Sequence, residues 1–356
     1  MKTSVRARSA LPRTALVRRS LPAAIGVLCA GALLTACAEG NDDRASGGDP
    51  ASEEKAEASE GAWSFTDDRG VTVELDSRPE TVVAFVGAAA ALHDYGVTVD
   101  AVFGPLVGPD GEPDIQAGDL PVNELESVGS AWGEFNLDAY AALEPDLLVS
   151  TMFVEDALWY VPDDSAEKIE SLAPGIGLSV ASPSTVVEAI DRHAELAEAL
   201  GGDLSADTVT EDKERFEAAA EELRQAVEDN PGIRVMAASG SADLFYVSDP
   251  KASPDLSYFA ELGVEMVVPD EAPAGFFEEL SWENADRYDA DIILLDGRTG
   301  VMRAEDLADK PTWAQLPAVK ADQIAYWTTE PRYSHAGFAP ILEALAEAIR
   351  DADRVA

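Results

Sequence analysis

The chain has 356 residues, 46% of them hydrophobic and 26% charged, enough for a sizeable apolar core. Acids dominate: 68 Asp and Glu stand against 25 Lys and Arg, a net charge of −43. A field of that sign repels nucleic acid and anionic lipid headgroups, so neither is expected as a partner.

The first twenty residues carry Lys2, Arg6, Arg8, Arg13, Arg18 and Arg19 and no acid, and residues 21–36 are small and apolar. This order reads as a secretory signal, since the apolar run falls short of the ~20 residues that span a bilayer. "Leu34-Thr35-Ala36-Cys37" resembles the lipobox of bacterial lipoproteins. The resemblance implies that the Cys37 thiol takes a diacylglycerol anchor and becomes the first residue of the mature chain. The only other cysteine, Cys29, lies in the signal, so no internal disulfide is expected after cleavage. Residues 38–62 are mostly Gly, Ser, Ala, Asp and Glu without a large apolar side chain, a composition expected to form a flexible leash. The folded part is expected from Trp63 onward, about 295 residues, comfortable for two lobes.

Short β-type runs then alternate with amphipathic stretches. "TVVAFV" (81–86) predicts a strand, and the segment after it predicts a helix ending at Gly96. "AVFGPL" (101–106), "DLLVS" (146–150) and "GLSVA" (177–181) predict further strands, with helices over 136–144 and 164–173. Such βαβ order implies a parallel sheet covered by helices. The rhythm breaks at residue 184. One helix runs to the glycines at 201–202, and a second follows with no strand between them. Thr208 and Glu211 have capping-box spacing, and Phe216, Ala220, Leu223 and Val227 share one face up to "NPG" at 230–232. The α/β pattern then resumes with strands expected at 233–239, 264–268, 291–296 and 323–327 and a closing helix over 337–350. The expected division is therefore a lobe over 63–207, a connecting helix over 208–230 and a lobe over 231–356.

The sequence contains no G-x-S-x-G, H-E-x-x-H, C-x-x-C or P-loop. Its three histidines, His93, His193 and His335, are scattered and give no ligand set for a transition metal. Neither a catalytic residue, a metal site nor a cofactor is expected, and the chain is read as a non-enzyme.

"DDRGVTVELDSRPETVVAF" (67–85), "SVGSAWGEFNLDAYAALEPDLLVS" (127–150), "ELSWENADRYDADIILLDG" (279–297) and "TWAQLPAVKADQIAYW" (312–327) follow one another in that order along the chain. Together they resemble ABC-transporter substrate-binding proteins for iron–siderophore complexes, haem and cobalamin. The resemblance covers about 65–350, nearly the whole folded part. It implies two Rossmann-like α/β lobes joined by a single long rigid helix, with the ligand cleft between them. It also implies partners: a permease, its ATPase and an iron chelate. Acids on the two lobes dock the permease in such proteins, and the matching positions here are Asp138 and Glu283. Glu134 could substitute for Asp138, which could instead cap the helix starting near Leu137.

Ligands of open α/β folds sit beyond the carboxyl ends of strands. That rule selects Trp132, Phe153, Trp159, Tyr160, Phe245, Tyr246, Arg298, Arg332 and Tyr333 as ligand-binding candidates. Aromatic walls with one or two arginines suit a bulky anionic ferric chelate. Tyr333 and His335 keep haem as an alternative, since haem needs an axial ligand; cobalamin is the other. A surface-tethered enzyme or a sensor on the same scaffold is the more distant reading. The expectation is thus a monomeric, lipid-anchored, extracytoplasmic binding protein that captures a ferric siderophore for an ABC importer.

Overall fold

The structure, a computed structural model, describes residues 61–109, 111–273 and 275–356; the signal, Cys37 and nearly all of the leash lie outside these. The described chain opens with a hairpin of β1 (Trp63–Thr66) and β2 (Thr72–Leu75), paired antiparallel. Trp63 is buried and its Nε1 donates to the Ala199 carbonyl at 2.8 Å, so the first large apolar residue is also the first fixed to the core.

The first lobe is built from β3 (Val82–Phe85), α1 (Val86–Asp94), β4 (Ala101–Phe103), β5 (Glu126–Ser127), α2 (Leu137–Ala142), β6 (Leu147–Met152), α3 (Ala166–Glu170) and β7 (Gly175–Ser179). Its five strands are all parallel, in the order β5-β4-β3-β6-β7. β3 and β6 are buried along their whole length, which is why they lack alternation in the sequence. The β4 strand stops at Phe103 because Gly104 has a φ of 100° and a Cβ there would lie 2.9 Å from the Phe85 ring.

Two helices, α4 (Val186–Ala199) and α5 (Asp207–Asp229), lead into the second lobe. The capping box belongs to α4, where Thr185 and Glu188 bond reciprocally. The box expected at Thr208 and Glu211 is absent: α5 starts one residue earlier, behind Ala206, with no side-chain cap. The Asp203 carboxylate accepts from the Ser205 amide and hydroxyl, closing the turn that sets this earlier start. The connection is also broader than one helix. Val209 of α5 lies in the first-lobe core while Phe216, Ala219, Ala220, Leu223 and Ala226 lie in the second. Helix α4 is split the same way, with Leu196 and Ala197 in the first core and Val186, Ala189 and Ile190 in the second.

The second lobe contains β8 (Arg234–Gly240), β9 (Leu244–Ser248), α6 (Pro254–Glu261), β10 (Glu265–Met266), β11 (Phe277–Ser281), β12 (Ile292–Asp296), α7 (Ala304–Leu307), α8 (Pro317–Lys320), β13 (Ile324–Trp327) and α9 (His335–Asp351). Its sheet runs β11-β9-β8-β12-β13, and β10 pairs with the start of β8. The β8-β12-β13 part is parallel, but β9 pairs antiparallel with both β8 and β11. This sheet is therefore mixed, and β9 and β11 were not among the strands expected from the sequence. One apolar layer packs under α5, α6 and α9, and another lies on the opposite face around Phe245, Trp282 and Trp313. Helix α5 packs along α9 for much of its length. Each large side chain of that seam, such as Phe216 or Leu223, contributes roughly 1.5–3 kcal/mol on burial.

Candidate ligand cleft

The carboxyl ends of β6, β8, β12 and β13 converge between the lobes. They surround a cavity of about 160 Å³ whose lining includes Phe153 and Trp159 from the first lobe and Ser239, Arg298, Thr329 and Tyr333 from the second. Beyond Phe153 and Phe276 it continues into an open groove of about 940 Å³. The inner cavity alone is small beside the ~300–1,000 Å³ of ordinary ligand sites, so the groove supplies most of the room.

The first-lobe wall is aromatic, and the backbone fixes it. After β6 the chain turns back, so that the Trp159 amide donates to the Thr151 carbonyl at 2.9 Å and Ser150 Oγ donates to the Trp159 carbonyl at 2.9 Å. Tyr160 follows with a φ of 62°. Trp132 comes from another loop, where Gly129 is obligatory because a Cβ would sit 2.0 Å from the Glu134 carbonyl oxygen. The rings form a continuous set. Trp132 meets Trp159 at 4.6 Å and Tyr160 at 5.1 Å, edge to face, and Phe153 meets Trp159 at 5.0 Å and Tyr333 at 6.5 Å. Trp132, at 63% exposure, is the solvent end of this set, while Tyr333 is the buried end at 1%. Tyr333 stacks on His193, whose pKa burial pushes down to about 4.

The second-lobe wall is charged. The Arg298 guanidinium reaches Asp296 at 2.8–3.3 Å and also contacts Glu330 Oε1. Gln116 of the first lobe donates from Nε2 to the other Glu330 oxygen. Burial opposes the Arg298 charge, but Glu330 and Asp296 outweigh it and raise its pKa. Burial raises the Glu330 pKa against the pull of Arg298. Asp255, at the start of α6, is fully enclosed on the cavity lining and accepts from Trp327 Nε1 at 2.7 Å. Its burial pushes its pKa up to about 6 despite that bond. Thr329 Oγ1 is buried with no hydrogen-bond partner among the described residues.

The expected ligand residues thus separate. Phe153, Trp159, Arg298 and Tyr333 line the cavity, and Trp132 and Tyr160 extend the same aromatic set. Tyr246 sits one ring back, edge-on to Phe277 at 5.0 Å, and bonds Ser241. Phe245 points the other way, into the core beside Trp282, because it alternates with Tyr246 along β9. Arg332 is not on the cavity lining. It spans the lobes, pairing with Asp94 at 3.1 Å and Asp119 at 2.9 Å, and a Cβ on Gly118 would strike it at 2.5 Å. Ser334 also donates to Asp94, and the Thr299 amide donates to Asp114 at 3.3 Å, so the loop over 114–119 and the end of α1 hold the second lobe beside the cleft. His335 packs edge-on to Phe216, away from the lining, which removes it from any axial role beside Tyr333. Among the described residues no group of three or more His, Cys, Asp and Glu is placed to hold a metal ion. Sequence reasoning missed Asp255, Asp296, Phe276, Phe277 and Glu330.

Asp138 and Glu283 are both exposed. Asp138 does not cap α2; Asn136 does, accepting from the Ala139 amide at 3.1 Å. Glu134 is exposed 3.5 Å from Ser130 Oγ. Glu283 lies in a 3-10 turn, and its pKa is lowered by the backbone amide and Ser281.

Two α/β lobes bridged by helices, with an aromatic and charged cleft at their strand ends, define the bilobal class of solute-binding protein. Residues 96–331 match the family model described as periplasmic binding protein. DesE, a ferric-siderophore receptor protein from Streptomyces coelicolor, is 47% identical, with a TM-score of 0.80 over 83% of this chain and 100% of that one. The siderophore periplasmic binding protein from the fuscachelin gene cluster of Thermobifida fusca shares the fold at 22% identity, TM-score 0.56, covering 76% of this chain and 96% of its own. The triscatecholate siderophore binding protein FeuA from Bacillus subtilis does so at 16% and 0.58, covering 80% and 97%. A search of curated proteins found no match. The chain belongs to the periplasmic binding protein family.

Proposed function

We propose that this protein is the substrate-binding component of an ABC importer, and that it captures a ferric siderophore outside the cytoplasm and delivers it to a permease. The observation that carries the reading is the 47% identity to a ferric-siderophore receptor over the full length of that receptor. The cleft supports it: the ring set from Trp132 to Tyr333 offers the broad apolar wall that a bulky chelate needs. The proposal assigns the chain no chemical step. It acts as a monomer held to the membrane through lipidated Cys37, and Asp138 and Glu283 meet basic residues of the permease.

Native mass spectrometry of the full chain in detergent, offered ferric siderophores, haem and cobalamin together, tests the ligand. A mass increase matching a ferric siderophore supports the reading. Retention of haem or cobalamin in its place overturns it.

A further inference from the structure

One loop of the first lobe reaches across to the second. Between β4 and β5 the chain is anchored in its own core by Leu106, Ala117 and Leu120, and the Asp114 amide donates to the Leu106 carbonyl at 3.0 Å. From that footing residues 114–119 meet the second lobe repeatedly. Asp114 Oδ2 accepts from the Thr299 amide at 3.3 Å, Gln116 Nε2 donates to Glu330, and Asp119 accepts from Arg332 at 2.9 Å. Ile115 packs so near Gly297 that a Cβ there would lie 3.3 Å from its Cδ1. Glu330 and Arg332 belong to one segment, 329–334, whose Thr329, Glu330 and Tyr333 line the inner cavity. That segment therefore faces the ligand space and the loop at once. Its Arg332 also holds Asp94 at 3.1 Å, at the end of α1, which packs on the bridging helix α4 and on α9.

We propose that the loop over 114–119 is a latch: its contacts with segment 329–334 hold the inner cavity narrow, and a ligand gains the room it needs when they release. The inference concerns the motion of the cleft and goes beyond the choice of ligand. Size is the first argument. The cavity of about 160 Å³ falls below the ~300–1,000 Å³ of ordinary ligand sites, and Glu330 on its lining is held from across the cleft by Gln116. A ligand that fills this space must move that segment away from the loop. The second argument is that the closure is built to be weak. Gln116 is fully buried, yet its Oε1 has no partner among the described residues, and neither has Thr329 Oγ1. A buried polar atom without a partner costs free energy that opening returns by letting in water. The Asp119 side chain is 78% exposed, so its pair with Arg332 adds little. Asp94, by contrast, is 6% exposed and accepts from both Arg332 and Ser334 beside the bridging helices. That end is the pivot, and the loop end is the part that separates. A closed form favoured about tenfold lowers the binding-competent fraction, and with it the rate of ligand entry, by the same factor.

Hydrogen exchange of the full chain, read by mass spectrometry, tests the latch without any ligand. Gln116→Met keeps the side-chain volume and removes the donor to Glu330. It is expected to speed exchange about tenfold in the peptides holding Thr299 and residues 114–119, with β3, β6 and α5 unchanged. Asp119→Ala, at an exposed position, is a second variant that keeps the fold, with a rise of at most about fivefold. Stopped-flow tryptophan quenching supplies the functional arm, with a ferric trihydroxamate and a ferric triscatecholate as probes. Whichever binds should associate several-fold faster with Gln116→Met than with the unaltered chain. Unaltered exchange at Thr299 in Gln116→Met overturns the latch. So does faster exchange spread equally through β3 and β6, which is general loss of stability, and so does unchanged or slower association. Binding of neither chelate defeats the siderophore reading, and the exchange result then decides the latch by itself.

Discussion

Replacing Arg298 by Met should destabilise the fold more than it changes the cavity's shape. The guanidinium sits between Asp296, whose side chain is 1% exposed, and Glu330, at 5%, with its own side chain 28% exposed. Each charge-assisted hydrogen bond is worth ~1.5–3 kcal/mol, but the desolvation of three charges offsets much of that gain. Removing one partner leaves the other charges buried and unpaired, so the expected loss is about 3–5 kcal/mol. The variant can limit the loss by binding a proton on one of the two acids. That carboxyl would then titrate above its unfolded value, so the folded state would hold more protons than the unfolded state. With that sign, stability falls as pH rises through the interval between the two pKa values. The deficit of Arg298→Met should therefore be smaller at pH 5.5 than at pH 8. Urea unfolding followed by tryptophan fluorescence at both pH values measures it. A deficit below about 1 kcal/mol, or one unchanged between the two pH values, would refute the buried-network account of Arg298.

Trp132→Ala should leave unfolding midpoints nearly unchanged, since that ring is 63% exposed, while ligand affinity falls about three- to tenfold in a quenching titration. Unchanged affinity would take the loop over 129–134 out of the ligand wall. Glu283→Ala should leave ligand affinity intact and reduce cellular uptake; a collapse of ligand binding would place Glu283 in the pocket or the fold instead. Cys37→Ala should release the protein to the medium or leave it unprocessed, read by fractionation and immunoblot. A variant that stays membrane-bound and normally cleaved contradicts the anchor.

The parallel strands were legible because burial on both faces leaves an unbroken apolar run, as in "VVAF" and "DLLVS". The β7 boundary was not. The strand was expected from Gly177 to Ala181, yet it begins at Gly175 and ends at Ser179, and a Cβ on Gly177 would lie 2.6 Å from Met152 Sδ. β9 and β11 are half-buried, and their short period-two pattern is weak beside neighbouring loops. The aromatic wall could be found, because loops after strands can be located from the strands themselves. The acidic wall could not. Asp255, Asp296 and Glu330 are three among 68 acids, and only the fold shows that they are buried. Arg332 was misplaced for a related reason: a loop after a strand end can turn toward the ligand or toward the other lobe, and Asp94 and Asp119 draw it to the latter.

The most direct measurement is the iron anomalous difference signal from crystals of the protein soaked with a ferric siderophore. The account predicts one peak between the lobes, beside Trp159 and Phe153 and facing Phe276 and Arg298. A loaded crystal with its iron on an outer surface, or with the cleft filled by side chains alone, would contradict it.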